Sequence, residues 1–167
     1  MNGNGPHDEF LDDLNRHRAM LVKIAAAYAR TADREDLVQE IAVQAWRAYP
    51  RFERRSKFST WLYRIAMNVA ISYQRRDERT RRRVVTADEP ALERIAGTSE
   101  ETADERLAQI YELIEALDPL DRALVLLYLD DRPYAEIAAI LGITETNAGT
   151  RIGRIKERLK RDAAHTA

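Results

Sequence analysis

The sequence predicts an all-α protein: two small helical domains joined by an acidic flexible linker, the second domain a helix-turn-helix. Apolar residues recur at spacings of three and four along most of the 167 residues, and no strand-like alternation or internal repeat is present. Between residues 84 and 104 this period stops, and Pro90, Gly97 and several acidic side chains take its place. A segment of that composition buries too little apolar surface to order itself. We therefore divide the chain into a first domain at residues 8–83, a linker at 84–104 and a second domain at 105–163.

Three helices are predicted in the first domain. The second of them spans residues 34–49 and ends at Pro50, because the residue before a proline avoids the helical region. Ser59 or Thr60 then caps the third helix. The apolar stripe of the first helix consists of Phe10, Leu14, His17, Leu21, Ile24 and Tyr28. The core-facing residues of the third helix are Leu62, Ile65, Val69 and Tyr73, and a different face carries Trp61, Arg64, Asn68, Ile71 and Arg75.

Four helices are predicted in the second domain. Asp118 followed by Pro119 is an N-cap and first-turn pair that starts the second of them. The third helix begins near residue 133 and ends at Leu141, because Gly142 suits a left-handed C-cap. Thr144 then caps a fourth helix that extends to about residue 161. The first helix of this domain has the apolar residues Leu107, Ile110, Leu113, Ile114 and Leu117.

Composition excludes several classes of function. The chain has no cysteine, so disulfides, thiolate metal sites and a cysteine nucleophile are excluded. Its histidines, His7, His17 and His165, do not cluster at metal-ligand spacing, and we expect neither a metal nor a cofactor. The mean hydropathy is -0.52, and no basic segment followed by an apolar one directs export, so we expect a cytoplasmic protein.

Charge is unevenly distributed along a chain whose formal net charge is only -1. Residues 51–83 carry 11 basic and 3 acidic side chains, whereas residues 84–131 carry 3 basic and 13 acidic ones. The basic block also contains rings that can stack on unpaired bases while arginines follow a phosphate backbone. These rings belong to Phe52, Phe58, Trp61, Tyr63 and Tyr73. The combination predicts a surface for single-stranded nucleic acid.

The segment from Tyr134 to Thr144 predicts a helix, a glycine turn and a second helix that enters the major groove of DNA. On that second helix Ala148, Ile152, Ile155 and Leu159 face inward. The exposed side then carries Asn147, Thr150, Arg151, Arg154 and Arg158. Asparagine and arginine pair bidentately with adenine and guanine edges, so this helix is predicted to read base pairs.

Several segments resemble bacterial sigma factors of the sigma-70 superfamily. Residues 33–46 (DREDLVQEIAVQAW) and 51–68 (RFERRSKFSTWLYRIAMN) resemble region 2, and residues 117–129 (LDPLDRALVLLYL) with the following helix-turn-helix resemble region 4. The order of the regions and the short connection match the extracytoplasmic-function (ECF) group. The resemblance implies a protein that binds core RNA polymerase, directs promoter-specific initiation and is not an enzyme.

The resemblance also implies residue roles. Polymerase binding, on the clamp helices of the beta-prime subunit, falls to Asp36, Leu37, Gln39, Glu40 and Trp46. Opening of the start-proximal (-10) promoter element, with capture of a flipped base, falls to Phe52, Arg54, Arg55, Lys57, Phe58, Trp61, Arg64, Asn68, Arg75 and Arg76. Reading of the upstream (-35) element falls to Thr144, Thr146, Asn147, Thr150, Arg151, Arg154 and Arg158. Ala148, Gly149 and Thr150 stand where family members often carry Val, Lys and Ser.

The resemblance further implies core polymerase (beta-prime and beta subunits), duplex and single-stranded promoter DNA and an anti-sigma factor as partners, with no direct membrane insertion. Two other hypotheses compete with it. A helix-turn-helix regulator that acts without polymerase would leave Phe58 and Trp61 unexplained. An enzyme using Asp33, Asp36 and Glu40, which share a helix face, would lack a nucleophile, a metal-binding imidazole or a phosphate loop.

Overall fold

The computed structural model describes residues 5–84 and 103–166, and in these two ranges all regular structure is helical. The predicted linker lies outside the described residues, apart from its first residue and last two. No helix in the described ranges is long and apolar enough to span a bilayer. The N-terminal half contains α1 (Pro6–Arg16), α2 (Arg18–Tyr28), α3 (Arg34–Ala48) and α4 (Phe58–Val84). The C-terminal half contains α5 (Ala103–Glu115), α6 (Pro119–Leu129), α7 (Tyr134–Leu141) and α8 (Glu145–Thr166).

The first predicted helix is interrupted at His17. This residue has φ -105° and ψ 9°, and it separates α1 from α2. Its Nδ1 atom lies 2.7 Å from the backbone oxygen of Asp13. Because a carbonyl oxygen only accepts hydrogen bonds, Nδ1 carries the proton there. The apolar stripe is continuous in sequence, but the backbone turns in its middle so that Phe10 and Leu21 both reach the core, each 1% exposed.

The buried face of α4 differs from the predicted one. Leu62 is buried as predicted, but Ile65, Val69 and Tyr73 are only partly buried. Tyr63 and Met67 are 2% and 0% exposed. The reason is that α4 packs against helices on two sides, α2 and α3 of its own half and α6 and α7 of the other half. The helical periodicity of the sequence predicted one buried face for α4, whereas in the structure two faces of this helix are packed against other helices.

The helix ends of the C-terminal half follow the sequence signals. The Asp118 carboxylate accepts hydrogen bonds from the backbone N–H groups of Leu120 and Asp121 at 3.1 and 3.0 Å. Gly142 has φ +68°, the left-handed conformation that glycine adopts without a steric penalty. The tight turn between α7 and α8 is therefore confirmed.

The two halves share one continuous hydrophobic core rather than holding separate ones. A buried guanidinium joins them: Arg122, at the start of α6, is 4% exposed and donates to the backbone oxygen of Ala27 on α2 at 2.7 Å. The Tyr28 hydroxyl donates in turn to the backbone oxygen of Pro119 at 2.7 Å. Burial raises the pKa of Tyr28 well above its usual value of 10. The phenol therefore remains a neutral donor at physiological pH.

Candidate nucleic-acid interface

Rings from three parts of the N-terminal half form one aromatic cluster. We define this cluster as Phe10, Tyr49, Phe52, Phe58 and Trp61. The Trp61 ring centroid lies 4.8 Å from that of Phe52 and 5.3 Å from that of Phe58. Phe10 is buried, and the other four rings are half-buried. The cluster thus fixes the orientation of Trp61 and Phe52 while leaving part of each ring accessible to a base.

The loop that leads into α4 places cations beside the aromatic cluster. Arg54 has φ +55°, an uncommon value for a residue with a side chain. Its Nη2 donates to the Glu9 carboxylate at 2.5 Å, and this hydrogen bond raises the pKa of the Arg54 guanidinium. Arg55 pairs with Glu53 at 2.7 Å, and Lys57 is exposed. These cations are exposed, so their ion pairs exchange readily with a phosphate backbone.

Two of the predicted strand-opening arginines on α4 are engaged within the chain. Arg64 donates through Nη2 to the backbone oxygen of Ala139 on α7 at 2.7 Å. Arg76 donates to the Glu40 carboxylate at 3.0 Å. Asn68 and Arg75 are exposed. Of these four predicted residues, Arg64 thus contacts the C-terminal half and Arg76 contacts α3, whereas Asn68 and Arg75 remain accessible.

The predicted polymerase-binding residues divide between the surface and the core. Asp36 and Gln39 are exposed on α3, and Trp46 is 43% exposed. Glu40 is half-buried and holds Arg76. Leu37, by contrast, is 1% exposed and packs in the core. It supports the α3 surface from beneath and is not itself available to a partner.

A second group of polar contacts fixes α4 against α6 and α7. The carboxylate of Asp130, at the end of α6, accepts hydrogen bonds from Lys23 of α2 and from the Tyr63 hydroxyl of α4. Glu136 of α7 accepts from the Thr60 hydroxyl of α4 at 2.8 Å. Each of these contacts crosses from one half of the chain to the other. No sequence pattern indicates them, because the partners are 67 to 107 residues apart.

Helix α8 has one buried face and one exposed face, as predicted. Ala148, Ile152 and Ile155 are 0%, 1% and 4% exposed and attach it to α6 and α7. The Thr144 hydroxyl accepts from the backbone N–H of Asn147 at 3.1 Å and caps the helix as predicted. The exposed predicted readers are Thr144, Thr146, Asn147, Thr150, Arg154 and Arg158. Together with Arg151 and Asp121, three of them border an open surface cavity of about 410 Å³.

Sequence reasoning missed two residues that shape this helix. Tyr134, at the start of α7, lies so close to α8 that a Cβ at Gly149 would be 3.4 Å from its ring. Asp121, in the first turn of α6, accepts hydrogen bonds from the Arg151 side chain. Neither residue carries a sequence signal, since both act across helices that are distant in sequence.

Comparison with known proteins gives matches over both halves. Residues 14–80 match the family Sigma-70 region 2, and residues 107–159 match Sigma-70, region 4. The ECF RNA polymerase sigma-E factors of Escherichia coli K12 and Salmonella typhi are each 34% identical over 152 residues, covering 85% of this chain and 80% of theirs. The ECF RNA polymerase sigma factor SigG of Mycobacterium tuberculosis is 37% identical over 75 residues, covering 42% of this chain and 20% of its own.

Solved structures share the fold. The sigma factor RpoE from Bartonella quintana, in complex with the anti-sigma factor NepR, superimposes with a TM-score of 0.73 at 22% identity, covering 92% of this chain and 95% of that one. CnrH, in complex with the cytosolic domain of CnrY, superimposes with a TM-score of 0.70 at 23% identity, covering 95% and 89%.

Proposed function

This chain belongs to the ECF group of the sigma-70 family of RNA polymerase sigma factors, and from that membership we propose how its two halves divide the work. As a sigma factor it directs promoter-specific transcription by core RNA polymerase. We assign opening of the start-proximal (-10) element to residues 8–83 and reading of the upstream (-35) element to residues 105–163. No bond chemistry is required of either half.

The observation that carries this proposal is the presence of two different nucleic-acid surfaces on one chain. The aromatic cluster, with Arg54 and Lys57 beside it, suits unpaired bases, because rings stack on any base while cations hold the backbone. Helix α8, set on α7 by the Gly142 turn, suits the major groove of intact duplex. A regulator that binds only duplex DNA needs the second surface and not the first.

The packed arrangement of the two halves is incompatible with reading both elements together. The -10 and -35 positions are about 25 base pairs apart, which is on the order of 85 Å at about 3.4 Å per base pair. A compact chain of this length has a radius of gyration of roughly 15 Å. The halves must therefore separate, and Arg64 must release the Ala139 carbonyl, before α4 and α8 engage one promoter.

Core polymerase is the partner that stabilises the separated state. We propose that the exposed part of α3, with Asp36, Gln39, Glu40 and Trp46, docks on the beta-prime subunit, and that the beta subunit binds the C-terminal half. Two tethered readers on one rigid scaffold bind promoter DNA far more tightly than either reader alone. Such a partner places the chain in the cytoplasm.

An anti-sigma factor is a further proposed partner. Both structural neighbours were solved with proteins bound to them, and the partner of RpoE is an anti-sigma factor. In this chain a protein that holds the two halves together would keep Arg64 bound to the Ala139 carbonyl and Thr60 bound to Glu136. The chain would then be unable to span a promoter.

Footprinting of promoter fragments with and without core polymerase tests the proposal. We expect protection of both elements, and reactivity of unpaired bases near the start site, only when polymerase is present. Arg154→Gln should weaken the upstream footprint, whereas Trp61→Ala should reduce base unpairing more than duplex protection. Equal protection without polymerase would instead support the helix-turn-helix regulator.

A further inference from the structure

Arg151 differs from the other residues predicted to read the -35 element. Among those that the structure describes, it is the only one whose guanidinium binds a carboxylate on another helix. Its Nε and Nη2 atoms lie 2.9 and 2.6 Å from Oδ1 of Asp121 in the first turn of α6. Nη2 is also 3.8 Å from Oδ2 of Asp118, the N-cap of the same helix. The Arg151 and Asp121 side chains are 33% and 20% exposed. This is a partly buried contact between α8 and α6, and not a cation projecting into solvent.

The rotation of α8 separates Arg151 from the residues that face outward. The buried residues Ala148, Ile152 and Ile155 define its inner direction. At about 100° per residue, Arg151 lies about 65° from that direction, whereas Thr150 and Arg154 lie about 165° and 125° from it. A helix lying in the major groove presents the outward direction to the bases. Thr150 and Arg154 therefore meet base edges, and Arg151 is at the flank that touches α6.

The interactions of the two arginines reinforce this difference. If Arg151 turned to a base, the half-buried Asp121 carboxylate would lose both hydrogen bonds, and an unpaired partly buried charge is costly. Arg154 is exposed, and it makes no hydrogen bond or ion pair with any residue in the described ranges. Its guanidinium is thus free to pair bidentately with a guanine.

We propose that Arg151 is a positioning residue, which through Asp121 fixes the rotation of α8 on α6, and that Arg154 is the arginine of this helix that reads a guanine edge. The inference rests on the proposed function, since it divides roles within the surface assigned to the -35 element. Asp121 becomes a determinant of promoter recognition without contacting DNA.

The experiment uses holoenzyme reconstituted with core polymerase and a library of duplexes randomised over the upstream element. The variants are Arg151→Gln, Asp121→Asn and the double variant that combines them. Arg154→Gln is the matched comparison, because it also removes one guanidinium from α8. Thermal unfolding followed by circular dichroism first gives a temperature at which every variant is folded, and binding is measured there. A purely structural role would change the melting temperature and leave binding by the folded variants unaffected.

We expect Arg154→Gln to remove discrimination at one guanine-containing base pair, by about tenfold or more. Arg151→Gln and Asp121→Asn should keep the preferred base at every position. Both should lower the ratio of specific to non-specific affinity by a similar factor, about five- to tenfold, and the double variant should be no worse than either single one. Such non-additivity would identify the two side chains as one unit.

Besides unchanged binding by the folded variants, two outcomes would overturn the inference. If Arg151→Gln erased a single base preference that Asp121→Asn left intact, Arg151 would be a reader, and the proposed function would still stand. If the unmodified holoenzyme selected no sequence in the upstream element, the proposed function and the inference would fail together.

Discussion

Replacement of Arg122 by methionine tests the contact that joins the two halves. The guanidinium donates four hydrogen bonds to backbone oxygens, at 2.7 Å to Ala27, 2.5 Å to Glu115 and 3.1 Å to both Ile114 and Leu117. Three of these acceptors belong to residues that are at most 3% exposed. The Ile114 oxygen also accepts from the backbone N–H of Leu117 at 3.1 Å, so the buried carbonyls that lose their donor with Arg122 are those of Ala27 and Leu117.

The expected loss of stability follows from these burials. Each buried carbonyl left without a donor costs about 1 to 3 kcal/mol, so these two give a gross loss of roughly 2 to 6 kcal/mol. Removing the buried charge offsets part of this loss, because the guanidinium no longer has to be desolvated. The same desolvation lowers the pKa of Arg122. A net loss of about 2 kcal/mol shifts the melting temperature of a chain this size by roughly 4 to 8 °C.

Thermal unfolding followed by circular dichroism measures this shift. Arg16→Met is the matched control, because the Arg16 side chain is 74% exposed and, within residues 5–84 and 103–166, pairs only with Asp13, at 3.4 Å. The control should change stability by less than about 0.5 kcal/mol. If the two variants melted within about 2 °C of each other, the four hydrogen bonds would not stabilise the fold and the reasoning would be refuted.

Three further changes have defined outcomes. Tyr28→Phe should cost about 1 kcal/mol at pH 7 through loss of the bond to Pro119. The pKa of Tyr28 is raised in the folded protein. The contribution of Tyr28 to the free energy of unfolding is therefore complete below pH 10, and above pH 10 it falls by up to about 1.4 kcal/mol per pH unit. Urea unfolding from pH 7 to 11 should therefore show the deficit of the variant shrinking as pH rises, and a constant deficit would contradict this. Asp118→Ala should lower the unfolding free energy by about 1 kcal/mol and Asp118→Ser by less, because only serine can still cap α6. Trp61→Ala should lower stability by about 2 kcal/mol and abolish most of the promoter opening, whereas Trp61→Phe should keep most of both. Thermal melting measures the stability, and the reactivity of unpaired bases measures the opening. Equal opening by the two variants would show that the ring is not used.

Local physical chemistry explains which elements were predictable. The N-cap at Asp118 and the left-handed turn at Gly142 depend on neighbours within four residues, and the structure confirms both. The nucleic-acid surface proposed for residues 51–83 could be predicted for the same reason, since its charges and rings are adjacent in the chain. Prediction failed where one helix meets two partners, as at Tyr63, or where a kink interrupts a continuous stripe, as at His17.

The sequence by itself determined the all-helical class, the helix-turn-helix, the separate basic blocks and the family, because periodicity, caps and motifs are written within short spans. Only the tertiary structure decided that the halves share one core, that Leu37 lies beneath the α3 surface and that Asp121 holds Arg151. These features depend on which helix faces meet across 30 to about 100 residues of chain. The hydrophobic effect is not directional. An apolar pattern therefore predicts that a helix face is buried, whereas only the packing in the tertiary structure determines which element buries it.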